Sequence, residues 1–237
     1  MDIKQEKPEQ LILDLPHRSA MGEQDFMVSE CNKAAVRLID VWPDWPAHYL
    51  LMIGPSGVGK THLANVWRMK SGAQVLCAEQ LLLEKDKVEQ IREKQALIIE
   101  DIDQVSDDKA TFETALFHIL NLSKEHDFHV LMTAQERPGM WPVALPDLRS
   151  RLRATPFVEI DPPDTLLLNG ILVKLFQDRQ LHISPQVVQY ISMRIERSMD
   201  AVQNIIDAID KAALATGRKV SRQLAGEVIA KGKYKNI

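Results

Sequence analysis

Gly54-Pro55-Ser56-Gly57-Val58-Gly59-Lys60-Thr61 is the stretch on which the reading of this chain turns. It matches G-x-x-x-x-G-K-[ST], a turn that holds phosphate groups between a strand and a helix. Its glycines let the backbone curl so that successive N–H groups point at phosphate oxygens. The helix that follows presents its positive end to the same anion. Lys60 is expected to reach the β- and γ-phosphates, and the Thr61 hydroxyl to ligate Mg²⁺. All eight residues are therefore candidate contacts for ATP or ADP. A glycine-rich loop that binds nothing is the bland alternative. The apolar run Tyr49–Ile53 just before the turn, and helical spacing through about Met69 after it, argue against that alternative.

Outward from the turn, short apolar runs alternate with helical patterns. Strands are expected at 49–53, 74–77, 96–99, 129–133 and 157–160, with helices at 79–93 and 109–126 between them. Such alternation, with continuous apolar strands, implies a parallel sheet covered on both faces. Pro162-Pro163 interrupts the pattern, and only helices are expected beyond it. They fall at 164–179, from Ser184-Pro185 onward, at 199–215 with Gly217 closing the helix, and at 221–230. On the near side, residues 29–41 read as a helix with Ser29 as N-cap, stopped before Pro43. The expected fold is α/β: a P-loop domain whose five-stranded parallel sheet is sandwiched by helices, then a small all-helical lid. The expected division is an irregular leader over 1–25, the nucleotide-binding domain over 26–161 and the lid over 162–237.

The third strand ends in carboxylates. Leu97-Ile98-Ile99 runs into Glu100-Asp101, with Asp103 two residues on. P-loop NTPases place a carboxylate here to hold the magnesium shell and often a second to polarise the attacking water. Glu100 is the candidate for the metal and Asp101 for the water. The usual order begins with Asp. The longer Glu100 displaces its carboxylate, and Mg²⁺ demands near-octahedral geometry, so intrinsic hydrolysis is expected to be slow or absent. The alternative is a strand that merely ends in acidic surface residues.

Composition narrows the class. Among 237 residues, Lys+Arg is 29 and Asp+Glu 33, a net charge of −4, which argues against a chain whose main task is coating nucleic acid. The two cysteines form no C-x-x-C pair and suggest a reducing compartment. No apolar run reaches the roughly 20 residues that a membrane-spanning helix needs, and the polar start carries no signal-peptide core. A cytoplasmic protein without a membrane partner is the expectation. The seven histidines are scattered and complete no metal set. Trp42 and Trp45 are expected to pack their loop beneath the first strand.

Phe26-Met27-Val28 with Asn32 and Ala35, the phosphate turn, LIIEDID, VLMTAQERP and LPDLRSRL follow one another in this order. Over about residues 10–230 the chain resembles the AAA+ module of the DnaA/Hda family of bacterial replication proteins, nearer its short Hda branch. The resemblance implies a nucleotide-binding regulator of replication initiation, with DnaA and the β sliding clamp of DNA polymerase III as partners. It implies a clamp-binding motif of the QL-x-L type, matched by Gln10, Leu11, Leu13 and Leu15; the alternative is a leader folded back on its own domain. It places Arg151 as an arginine finger that reaches a neighbouring subunit's nucleotide; the alternative is one more solvated arginine beside Arg149 and Arg153. Val28 or Asn32 would line the adenine pocket, or serve only in helix-start packing, and Thr133–Gln135 match the sensor-1 region.

The resemblance also exposes departures. Where the family carries a sensor-2 arginine in the lid, this chain has Asp200, and Arg197 one turn earlier is the candidate substitute. The sequence ends after the fourth lid helix, where DnaA continues into a DNA-binding domain, so no sequence-specific DNA binding is expected. Homo-oligomerisation is compatible with this resemblance. Two other readings stay open: a self-sufficient AAA+ ATPase acting as a helicase loader or remodeller, and a tethering protein whose nucleotide site is purely structural.

Overall fold

The computed structural model describes residues 17–18, 26–77, 81, 96–105 and 108–232. The motif residues Gln10, Leu11, Leu13 and Leu15 lie outside the described residues, as does the expected helix at 79–93 apart from Leu81.

The elements run β1 (His17–Arg18), β2 (Phe26–Met27), α1 (Lys33–Asp40), β3 (Tyr49–Ile53), α2 (Lys60–Ser71), β4 (Gln74–Cys77), β5 (Ala96–Glu100), α3 (Lys109–Glu125), β6 (His129–Ala134), α4 (Pro146–Ala154) and β7 (Phe157–Glu159). Four helices complete the described chain: α5 (Thr165–Asp178), α6 (Pro185–Ser192), α7 (Met199–Thr216) and α8 (Arg222–Lys231). The five longer strands form one parallel sheet in the order β4-β5-β6-β3-β7. The expected five-stranded parallel sheet is thus present, with β3 between β6 and β7.

Its apolar runs work because both faces are covered. Side chains alternate across a strand, so Tyr49, Leu51 and Ile53 of β3 enter one core with Leu97, Ile99, Val130 and Met132. Leu50 and Met52 enter the opposite core with Ile98, Leu131 and the α1 and α2 residues Ala35, Ile39, Leu63 and Trp67. Helices α3 and α4 cover the first face through Phe112, Leu116, Ile119, Leu148 and Leu152. A third core gathers Leu172, Phe176, Val188, Ile191, Ile205, Ile206, Ile209 and Leu224 from α5 to α8. Trp45 stacks on Trp67 with centroids 4.9 Å apart, and Trp42 meets Trp67 edge-on, so these tryptophans pack the loop as expected.

Three local expectations change. The first helix begins at Lys33 with Asn32 as its N-cap, not at Ser29. Ser29 sits one turn earlier, its carbonyl accepting from the amides of Asn32 and Lys33. The leader is not wholly irregular, because His17–Arg18 pairs antiparallel with Phe26–Met27. Residues 146–154 form a helix that sequence patterning had not assigned. Its signals were present in Pro146 at the first helical position and in the i,i+4 pair Leu148 and Leu152.

Candidate functional site

The phosphate turn leaves the carboxyl end of the central strand β3, where ligands bind in open parallel sheets. The Gly54 amide donates to the Ala134 carbonyl at 3.2 Å, which fixes the start of the turn against β6. A side chain at Gly54 would place its Cβ 2.4 Å from the Ile160 carbonyl oxygen, so only glycine fits that approach. Gly57 and Gly59 take φ of +73° and +103°, conformations that favour glycine. Pro55, Ser56 and Thr61 are exposed around the mouth, and Val58 is buried beneath it.

Lys60 opens α2 and is only 7% exposed. Its Nζ donates to the carbonyls of Gly54 at 2.7 Å and Pro55 at 3.0 Å, so the ammonium is held inside the loop's own curl. Burial pushes its pKa below the ordinary lysine value, and the carboxylates of Asp101, Asp103 and Glu100 oppose that shift. The three acids at and just after the end of β5 therefore share one electrostatic neighbourhood with Lys60.

Those acids are also tied to β6. Asp101 has a φ of +50°, and its amide donates to Thr133 Oγ1 at 2.9 Å. Asp103 Oδ2 accepts from the amides of Gln135 at 2.8 Å and Glu136 at 3.0 Å. Asp103 Oδ1 is buried with no hydrogen-bond partner among the described residues. Sequence reasoning left open which group of 133–135 acts. Thr133 is almost fully buried, and its hydroxyl oxygen accepts from the Asp101 amide, which ties the acidic turn to β6. Asp103 in turn clamps residues 135–136, just beyond β6, to the turn that follows β5.

Among the described residues no group of three or more His, Cys, Asp or Glu side chains could hold a metal ion. The donors at hand are hard oxygens, the Thr61 hydroxyl and the Glu100 and Asp101 carboxylates. That set suits Mg²⁺, which is commonly held by one or two protein oxygens together with substrate phosphates. The buried lysine and the glycine curl likewise fit a polyphosphate.

The lid closes on the turn from above. The Met199 amide, at the start of α7, donates to the Gly57 carbonyl at 2.7 Å. Asp200 Oδ2 lies 3.2 Å from where a Gly57 Cβ would sit. Arg197 is exposed, and its Nη2 donates to Thr165 Oγ1 at 3.3 Å. Asp200 is thus a lid side chain brought to the phosphate turn, while Arg197 bonds to Thr165 at the start of α5. Asn32 is buried, its Oδ1 accepting from the Ser29 amide and its Nδ2 donating to the Met27 carbonyl. It shapes the entry to α1, while Val28 packs against the α1–α2 face of the sheet.

Arg151 stands apart from this cleft, on α4. Its Nη1 donates to Asn121 Oδ1, and its guanidinium lies 4.6 Å from the Phe117 ring centroid. The helix that carries it is anchored by a buried acid: Glu113 accepts from the amides of Ala144 at 2.9 Å and Leu145 at 2.7 Å.

Comparison with known proteins matches two segments of the chain. The model for the bacterial DnaA ATPase domain matches residues 21–158, and that for the Hda lid domain matches residues 170–225. DnaA of Caulobacter vibrioides is 28% identical over 225 residues, covering 85% of this chain and 45% of that protein. DnaA of Caulobacter sp. K31 is 27% identical over 222 residues, with the same coverage. The chain spans about half the length of the curated relatives it matches. Domain III of Thermotoga maritima DnaA superposes with a TM-score of 0.75 at 20% identity, covering 86% of this chain and 93% of that one. AMPPCP-bound DnaA from Aquifex aeolicus superposes with a TM-score of 0.67 at 19% identity, covering 78% and 63%. With the ATPase-domain model matched across more than half of its length and the lid model across the helices beyond, the chain belongs to the DnaA/Hda family of AAA+ proteins.

Proposed function

We propose that this chain binds ATP or ADP with Mg²⁺ and regulates replication initiation by stimulating ATP hydrolysis on DnaA while docked on the sliding clamp. The observation that carries the proposal is a division of labour. The nucleotide cleft has the phosphate cradle, Lys60 and hard oxygen donors. It also has an anion, Asp200, at the turn. A cleft so equipped suits holding a nucleotide better than turning it over. Arg151, on α4, is free of that cleft and suits action on a neighbour's nucleotide. An arginine supplied in trans can raise phosphoryl-transfer rates by about 10³- to 10⁵-fold. The leader residues Gln10, Leu11, Leu13 and Leu15 would tether the chain to the clamp, as one amide and three apolar side chains suit a small apolar groove. AMPPCP bound to the Aquifex relative supports the nucleotide assignment.

The test is ATP hydrolysis by DnaA with clamp-loaded DNA. Wild-type chain should stimulate it, Arg151→Ala should abolish stimulation with clamp binding intact, and deletion of residues 10–15 should abolish clamp binding. Full stimulation by Arg151→Ala removes the proposal. A second reading, a self-sufficient ATPase acting as a helicase loader or remodeller, is favoured by Asp101, the strongest acidic neighbour of Lys60. Magnesium-dependent turnover by the chain alone, lost in Asp101→Asn and indifferent to clamp and DnaA, would establish it.

A further inference from the structure

Phe117 and Asn121 lie one helical turn apart on α3 and face the same arginine. Arg151 Nη1 donates to Asn121 Oδ1, and the guanidinium lies over the Phe117 ring at 4.6 Å. Phe117 is itself half-buried against the core that α3 and α4 share. Among the described residues, the flanking arginines of α4 are treated differently: Arg149 and Arg153 are exposed and have no hydrogen bond or ring contact from their side chains. We propose that Asn121 and Phe117 are positioning residues that pre-organise the Arg151 guanidinium for delivery to a phosphate on a neighbouring subunit. The proposal rests on the reading of Arg151 as an arginine acting in trans.

The chemistry of the two supports favours delivery over storage. A guanidinium carries five N–H donors in a planar fork. Asn121 engages one of its nitrogens and the Phe117 ring lies 4.6 Å from its carbon, which leaves the Nε and Nη2 edge without a hydrogen-bond partner among the described residues. That edge is free to take two phosphate oxygens side by side. Both supports are also uncharged. An aspartate at 121 would satisfy the fork and neutralise it, whereas an amide oxygen orients the cation and leaves its charge available. An unsupported arginine must freeze several rotatable bonds when it engages a phosphate; one held over a ring by a hydrogen bond has lost much of that freedom already. The expected benefit is about ten-fold in rate, because an ordering cost of that size is removed from the reactive arrangement.

The experiment measures DnaA ATP hydrolysis on clamp-loaded DNA as a function of the concentration of full-length chain, and separates maximal rate from half-saturating concentration. Asn121→Ala and Phe117→Leu should each lower the maximal rate about five- to ten-fold and leave the half-saturating concentration unchanged. Asn121→Asp should lower the maximal rate further, because an ion pair now holds the arginine back. Arg151→Ala, run beside them, separates the two claims. If it loses all stimulation while both supports keep the wild-type maximal rate, the positioning role is overturned and the trans role stands. If it stimulates normally, the trans role itself fails. A faster maximal rate in Asn121→Ala overturns positioning as well, because the site would then restrain the arginine. Phe117→Leu keeps the question open to measurement should Asn121→Ala fold poorly.

Discussion

The amide of Met199 donates to the carbonyl of Gly57 across 2.7 Å, joining the first turn of a lid helix to the middle of the phosphate loop. This bond makes the lid's position and the loop's conformation a single question. Gly57 tolerates the contact only because it has no side chain. An added Cβ would stand 2.9 Å from Ser198 Cβ, at a φ of +73° that costs a non-glycine residue about 1 kcal/mol. Gly57→Ala should therefore push α7 off the loop and lower the unfolding temperature. Hydrogen exchange at the amides of 199–202 should rise relative to wild type. Equal protection in the two proteins would mean that the lid is held elsewhere.

Glu113 is a buried acid that caps a neighbouring helix rather than its own. Its two oxygens take the amides of Ala144 and Leu145 just ahead of α4, at 6% exposure. Truncation removes the charged acceptor of two amides, Leu145 half-buried and Ala144 exposed, for about 1 to 2 kcal/mol of destabilisation. Glu113→Gln keeps one acceptor oxygen and should lose about half as much. Urea unfolding of both variants measures this directly. A Glu113→Ala variant within experimental error of wild type would show that water replaces the carboxylate at no penalty.

Two histidines are expected to make the fold sensitive to acid. Burial lowers the His62 pKa, with Lys174 adding to the shift. Burial also lowers that of His129, with His48, stacked at 6.1 Å, acting in the same direction and Asp127 against it. A histidine whose folded pKa lies below its unfolded value, near 6.5, binds protons more readily when unfolded. Its stabilising contribution is whole above about pH 6.5 and is lost as pH falls through that value towards the folded pKa. The unfolding temperature should thus drop between pH 7.5 and 5.5, and His129→Phe should flatten the decline. Parallel pH curves for wild type and variant would assign the acid sensitivity to other groups.

How much of this was written in the sequence depends on distance along the chain. The run Tyr49–Ile53 and the turn after it are contiguous, so the strand, the glycine curl and Lys60 could be read directly. Glu100 and Asp101 were found because a strand end is a local feature. The helix over 146–154 escaped because three arginines dilute its two buried leucines. The start of α1 was misplaced because Asn32 and Ser29 are both plausible caps, and only the Ser29 carbonyl bonds decide between them. The Asp103 clamp on 135–136, the Asn121 support of Arg151 and the Met199–Gly57 bond have no local signature. Each joins segments 30 or more residues apart, and only the packed sheet and lid bring them together.

Asp200 carries a clear electrostatic prediction. Its carboxylate faces the phosphate turn where a cation would favour the ligand. Two unit charges about 4 Å apart interact by about 1 kcal/mol in water and about 4 kcal/mol at an effective dielectric near 20. Asp200 is exposed, so the lower figure applies and salt will reduce it further. Asp200→Asn should then tighten nucleotide binding about five-fold at low ionic strength, with the gain shrinking as salt rises. Asp200→Arg should tighten it more, and more for ATP than for ADP, because the penalty scales with ligand charge. Fluorescence titration with a labelled nucleotide in 20 mM and 300 mM salt (about 20 Å and 6 Å of screening length) distinguishes the cases. Affinities that ignore both substitutions at low salt would mean that the bound nucleotide lifts α7 away, so that the lid carboxylate never meets the phosphates.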